Sequence, residues 1–73
     1  MSEILKIINI IFENKGWPPL HFISEKTNLR IDLSFSSLDL AEFTVRIEEK
    51  FDIDIFDVGI VETIGEVLQK INR

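Results

Sequence analysis

Apolar residues recur at helical spacing over residues 3–15. At about 100° per residue, Ile4, Leu5, Ile7, Ile8, Ile11 and Phe12 share one broad face, while Lys6, Asn9 and Glu13 lie on the other. Ile10 edges toward the polar side. Ser2 is suited to cap the start, and Gly16 to end the helix in a left-handed conformation. Trp17-Pro18-Pro19 then forbids helix, because proline donates no backbone hydrogen bond and restricts the residue before it. No period is sustained over 17–35. Its apolar residues Trp17, Leu20, Phe22, Ile23, Leu29, Ile31 and Leu33 predict an ordered loop pinned over the core, with one turn near residues 24–27.

The strongest pattern follows. Residues 37–50 predict a second helix, with Leu40, Phe43, Ile47 and Phe51 on one face and Thr44 at its edge. Ser36 is a fitting N-cap, Asp39 stands three positions on as a capping-box acid, and Phe35 with Leu40 makes a hydrophobic staple. Residues 52–55 alternate but have no partner strand, which makes them an extended connector with Ile53 and Ile55 turned inward. Residues 57–61 predict one short helix. Thr63-Ile64-Gly65-Glu66 is a second capping-box pattern, opening a last helix with Ile64, Val67, Leu68 and Ile71 at i, i+3, i+4, i+7. Three main helices, one short helix and no credible strand pair make an all-α bundle, and 73 residues make a single domain over 1–73.

One feature of the central helix exceeds what folding needs. Leu38, Ala41 and Val45 form a second apolar stripe roughly opposite the first, flanked by Glu42, Glu48 and Glu49. An apolar centre with a charged rim is the anatomy of a protein-docking surface. The plainer alternative is burial of the helix on both sides, or ordinary exposure of three modest residues. Ser37 lies at one end of this stripe, on the first helical turn. A hydroxyl there suits a phosphate ester, because the free N–H groups and the dipole favour negative charge. No general base adjoins it in sequence, so another enzyme would have to modify it.

Composition narrows the classes. Thirteen acids against eight bases give a net charge of −5, the wrong sign for phosphate-backbone binding, so nucleic acid is not an expected partner. No cysteine excludes disulfides, thiolate metal sites and a thiol nucleophile, and no metal site is expected. The single histidine, His21, has no catalytic partners in the pattern, and there is neither a triad nor a phosphate loop. An enzyme is therefore not expected. No apolar run reaches the roughly 18 residues of a membrane span, and the N-terminus lacks a signal-peptide pattern, which makes the cytoplasm the default compartment.

At Ser36-Ser37-Leu38-Asp39 the sequence resembles the acyl carrier protein family, whose Asp-Ser-Leu-(Asp or Glu) motif opens the second helix. The flanks are similar too: Ile23, Thr27 and Leu29 in the loop, Asp32-Leu33 before the motif, Ile47-Glu48-Glu49-Lys50-Phe51 closing the helix, then Ile53-Asp54-Ile55 and Thr63-Ile64-Gly65-Glu66-Val67. Ser36 stands where the family has aspartate, Ser34 where it usually has glycine, and Phe56 where it usually has proline. The resemblance implies an acyl-carrier-like bundle with a long ordered loop after the first helix. It implies a covalent 4′-phosphopantetheine arm on Ser37, placed there by a phosphopantetheinyl transferase and holding acyl groups as thioesters. Partner enzymes of fatty-acid, polyketide or related acyl metabolism would dock basic patches on Leu38, Asp39, Ala41, Glu42, Val45, Glu48 and Glu49, with Arg46 tuning the choice. The start at Met1 and the end soon after the last helix suggest a stand-alone carrier rather than a module of a large synthase, and a monomer is expected. Two alternatives remain at this level: a carrier-like interaction subunit that is never modified, motivated by Ser36, and an aminoacyl or peptidyl carrier, against which the missing Gly-Gly-x-Ser approach speaks.

Overall fold

Among the described residues these patterns form three helices: α1 (Ser2–Asn14), α2 (Ser37–Phe51) and α3 (Ile64–Ile71). The structure, a computed structural model, describes residues 2–52 and 61–71. The extended connector expected at 53–55 and most of the short helix expected over 57–61 lie outside the described residues. Val61 is described, and it is buried outside any helix.

Each helix end has a local cause. Gly16 at φ 75° ends α1 in a Schellman motif: Trp17 N–H donates to the Phe12 carbonyl at 2.9 Å and Gly16 N–H to the Glu13 carbonyl at 3.0 Å. The accompanying hydrophobic contact is an edge-to-face pair of Phe12 and Trp17, with ring centroids 5.2 Å apart. At the start of α2 the capping box is complete. Asp39 N–H donates to Ser36 Oγ at 3.2 Å, and Ser36 N–H donates to Asp39 Oδ2 at 2.9 Å. The helix runs to Phe51, one residue beyond the expected 37–50, and Asp52 caps it in the left-handed region at φ 57°. Ser2 belongs to α1 rather than standing before it.

The α3 start departs from expectation in one detail. Thr63 Oγ1 accepts from Glu66 N–H at 3.3 Å, but the Glu66 carboxylate turns to the N–H of Glu62 at 3.1 Å rather than that of Thr63. The box is therefore half formed, because this corner is stitched to the loop instead. Leu29 N–H donates to the Glu62 carbonyl at 2.8 Å, Ile64 N–H to Thr27 at 3.0 Å and Gly65 N–H to Glu25 at 2.9 Å, with an isolated bridge between Asn28 and Thr63.

α1 and α2 run antiparallel. Lys15, just past the end of α1, pairs with Asp39 at the start of α2, and Glu3 at the start of α1 pairs with Lys50 near the end of α2 at 3.4 Å. Between these ends lies one core, built from Ile4, Ile7, Ile8, Ile11 and Phe12 of α1, Phe43 and Ile47 of α2, and Ile64 and Val67 of α3. The loop adds Ile23, Leu29, Leu33 and Phe35, with Phe35 tilted between Phe12 and Phe43 at 6.0 Å from each.

Residues 17–35 form no helix, and their pins differ from those expected. Phe22 and Ile31 are exposed and pin nothing. Their work is done by a polar residue. Asn9 turns from α1 and holds Leu20 at both ends, accepting from its N–H at 2.8 Å and donating to its carbonyl at 2.9 Å. The turn at 24–27 forms, with Thr27 N–H donating to the Ser24 carbonyl and Ser24 N–H to Thr27 Oγ1.

Candidate functional site

Ser37 is the first residue of α2 and is exposed. Four N–H groups at a helix start lack intrahelical acceptors. The capping box satisfies those of Ser36 and Asp39. The pair left over belongs to Ser37 and Leu38, the two residues beside the candidate hydroxyl. Those two donors and the positive end of the dipole favour an anion attached at Ser37.

Asp39 does not oppose such an anion with a bare charge. Lys15 donates to its Oδ2 and also lies over the Trp17 ring at 4.3 Å. Burial works to raise the Asp39 pKa. The Lys15 hydrogen bond, the Ser36 N–H and hydroxyl, and the Lys15 charge outweigh it, holding the carboxyl below the ordinary value of 3.8.

Facing Ser37 is a tight turn made by Asn28 and Asp32. The Asn28 side-chain oxygen accepts from the N–H groups of Arg30 and Ile31 at 2.9 and 2.8 Å, and the Asp32 carboxylate accepts from Asn28 N–H at 2.7 Å. The Asn28 carbonyl accepts in turn from Asp32 and Leu33. Asn28 and Asp32 bond the local backbone in this way because their side chains are short enough to reach it. The turn presents Arg30, whose Nη2 donates to Ser37 Oγ at 3.0 Å. Between the turn, α2 and the α3 corner lies a cleft of about 450 Å³. Leu40, Ala41 and Val61 contribute apolar surface to it, and Arg30, Ile31 and Ser37 stand among its lining residues.

The second stripe of α2 is exposed: Leu38 at 83%, Val45 at 52%, with Ala41 between them. Burial of this helix on both sides is thereby excluded. Ala41, Glu42, Val45, Arg46 and Glu49 line a shallow groove along it. Glu48 and Glu49 are exposed, while Glu42 is held by Arg46 Nε at 2.9 Å, one turn along the same face. Asp39 differs from the other rim acids expected from the sequence, because its carboxylate is turned into the cap and the Lys15 pair, leaving its side chain only 12% exposed. The structure thus brings Ser37, Leu38, Ala41, Val45 and the three glutamates to one side of α2 and takes Asp39 out of that surface.

Sequence reasoning missed Arg30. Its only signal was the Asn-x-x-x-Asp turn around it, which says that a side chain is presented but not to what. No group of three or more acidic or histidine side chains suited to hold a metal occurs among the described residues. No helix among them is long and apolar enough to cross a membrane.

Comparison with known proteins bears on this site. The family model described as "Phosphopantetheine attachment site" matches residues 6–71. The chain is 32% identical to the acyl carrier protein of Amoebophilus asiaticus (strain 5a2), over all of this chain and 94% of that protein. It is 33% identical to the acyl carrier protein of Caulobacter vibrioides (strain NA1000 / CB15N), over all of this chain and 96% of that protein. The acyl carrier protein of Phenylobacterium zucineum (strain HLK1) is 32% identical, again over all of this chain and 95% of its own. No solved structure gives a significant match.

Proposed function

The chain belongs to the acyl carrier protein family, whose members carry covalent 4′-phosphopantetheine and are carriers rather than catalysts, and from that premise we propose that Ser37 bears the arm and that this protein carries acyl intermediates between discrete enzymes. When attached, the arm supplies a terminal thiol that holds an acyl group as a thioester. The observation that carries the assignment to Ser37 is its exposed hydroxyl at the first residue of α2, beside two N–H donors with no acceptor among the described residues and at the rim of an apolar cleft.

The residues present fit an ester at this place. The helix N-terminus and Arg30 favour the negative charge of a phosphodiester. Ser36 keeps its hydroxyl in the cap, which leaves Ser37 as the hydroxyl free of helix capping. A phosphopantetheinyl transferase is the first partner this requires, since among the described residues the side chain bonded to the Ser37 hydroxyl is Arg30, which is not a base.

Leu38, Ala41 and Val45 then form the apolar centre of the surface that later partners meet, with Glu42, Glu48 and Glu49 at its rim. Basic patches on acyl-loading and acyl-processing enzymes complement that rim, and charge complementarity of this kind speeds encounter. The carboxylate of Asp39 serves the cap instead. Fatty-acid, polyketide and related acyl pathways all supply partners of this type.

Co-expression with a phosphopantetheinyl transferase of broad scope, followed by intact mass measurement, tests the assignment. One phosphopantetheine increment is expected on the native chain and none on Ser37→Ala. An unmodified native chain, or an increment that persists in Ser37→Ala, overturns it.

A further inference from the structure

We propose that Arg30 is a phosphate-binding, positioning residue: it exchanges its hydrogen bond to the Ser37 hydroxyl for a charge-assisted bond to the phosphodiester formed there, and so holds the root of the arm at the mouth of the cleft. This rests on the assignment of the arm to Ser37.

The starting geometry is already in place. Arg30 Nη2 lies 3.0 Å from Ser37 Oγ, the atom that would become the ester oxygen. The non-bridging phosphate oxygens would stand two bonds beyond it, through phosphorus, within reach of the same guanidinium. That group offers five N–H donors in a planar fork, a shape that matches phosphate, and among the described residues it makes only the one bond to Ser37. An ionised acceptor replaces a neutral one, which strengthens the hydrogen bond. No carboxylate competes for Arg30 at ion-pair distance among the described residues.

The support beneath Arg30 makes it more than a long side chain passing by. Its backbone N–H is held by Asn28, which is itself held by Asp32, and the neighbouring Leu29 is buried and bonded to Glu62 at the α3 corner. The base of the side chain is therefore fixed relative to both α2 and α3. Its direction follows too. Arg30, Ile31, Leu40, Ala41 and Val61 share one cleft, whereas Leu38 at 83% exposure lies outside it. A phosphate held by Arg30 starts the arm on the cleft side of Ser37 and away from Leu38, toward the Ala41 end of the stripe. The loop thereby becomes part of the carrier site, although its sequence distance from Ser37 is seven residues.

The test uses the arm-bearing native chain, Arg30→Gln and Arg30→Lys, with intact mass reporting the arm in each. In the native chain the Arg30 side-chain N–H resonances are expected to shift on arm attachment, and the ³¹P resonance of the phosphodiester to differ from that in Arg30→Gln. Arg30→Lys is expected to recover part of the native ³¹P position, because it keeps charge without the fork. An identical ³¹P position in native and Arg30→Gln overturns the proposal, as do Arg30 resonances unmoved by attachment. Should Arg30→Gln resist modification, the native apo-to-holo comparison alone decides. A missing mass increment on the native chain instead overturns the Ser37 assignment, so the two failures are distinguishable.

Discussion

Lys15 and Asp39, one residue past α1 and two residues into α2, form an ion pair that joins a helix end to a helix start. Lys15 is positioned by the Schellman turn at Gly16 and covers Trp17, while Asp39 completes the cap on Ser36. The end of α1 is thus tied to the conformation of the helix turn that carries Ser37. Replacing Ser36 by Ala is expected to cost about 1 kcal/mol, the usual worth of such a cap. In a double-mutant cycle, Lys15→Met and Asp39→Asn are expected to couple by about 0.5–1 kcal/mol, since the pair is partly shielded from water. Chemical unfolding of the four proteins measures this, and strict additivity would mean that the pair contributes nothing to the tie.

The same pair sets an acid limit. The folded pKa of Asp39 lies below its ordinary value of 3.8, so the folded state binds the proton less readily than the unfolded chain does. The resulting stability is full above the unfolded pKa of about 3.9 and is lost as pH falls through the lower folded value. Glu3 is shifted in the same direction by a hydrogen bond from Lys50, the Lys50 charge and Lys6, against a smaller effect of burial. The stability difference between the native chain and Asp39→Asn is therefore expected to shrink on going from neutral pH to below the folded pKa. Unfolding curves across that range, together with the carboxyl ¹³C titration of Asp39, check both the sign and the window.

Two backbone positions respond oppositely to a change in size. Ser34 sits in the left-handed region at φ 58°, where a Cβ is crowded. Ser34→Gly is expected to leave stability unchanged or to raise it by up to about 1 kcal/mol, and a β-branched Val there to lower it. Gly65 is the converse case. A Cβ added to it would lie 3.0 Å from the Glu25 carbonyl oxygen and 3.3 Å from Glu25 Cβ, in a corner already closed by the Gly65-to-Glu25 hydrogen bond. Gly65→Ala is expected to cost about 1–3 kcal/mol, as overpacking does. Thermal melts of the three variants give the comparison, and a Gly65→Ala protein as stable as the native chain would show that the corner yields freely.

On α2 the proposed docking face is separate from the buried face. Leu38 is 83% exposed, and its replacement by Ser is expected to move stability by no more than about 0.5 kcal/mol while slowing turnover by an acyl-processing partner. Reversal of Glu48 and Glu49 to Lys is expected to slow association and to weaken its dependence on salt, because exposed charges are screened over about 10 Å at 0.1 M. Partner association rates at two ionic strengths read this directly, and salt-independent rates in the native chain would count against acidic steering.

What the amino-acid order determined by itself was whatever acts within about one helical turn. The Gly16 turn after α1, the start of α2, the cap of Ser36 and Asp39, the buried faces and the first-turn place of Ser37 follow from period and from contacts between near neighbours, so period and capping residues reveal them. The exposure of Leu38, Ala41 and Val45 needed the fold, since a stripe alone does not say whether a neighbour covers it. Tertiary structure alone decided that Asn9 would bind Leu20, that Phe22 and Ile31 would face solvent, that Asp39 would turn to Lys15 rather than to the rim, and that Arg30 would reach Ser37. The Lys15 pair depends on how α1 packs against α2, and the others on how a loop without period lies over the helices. Its backbone is held by single polar contacts across the chain, and such contacts leave no repeating mark on the residues that make them.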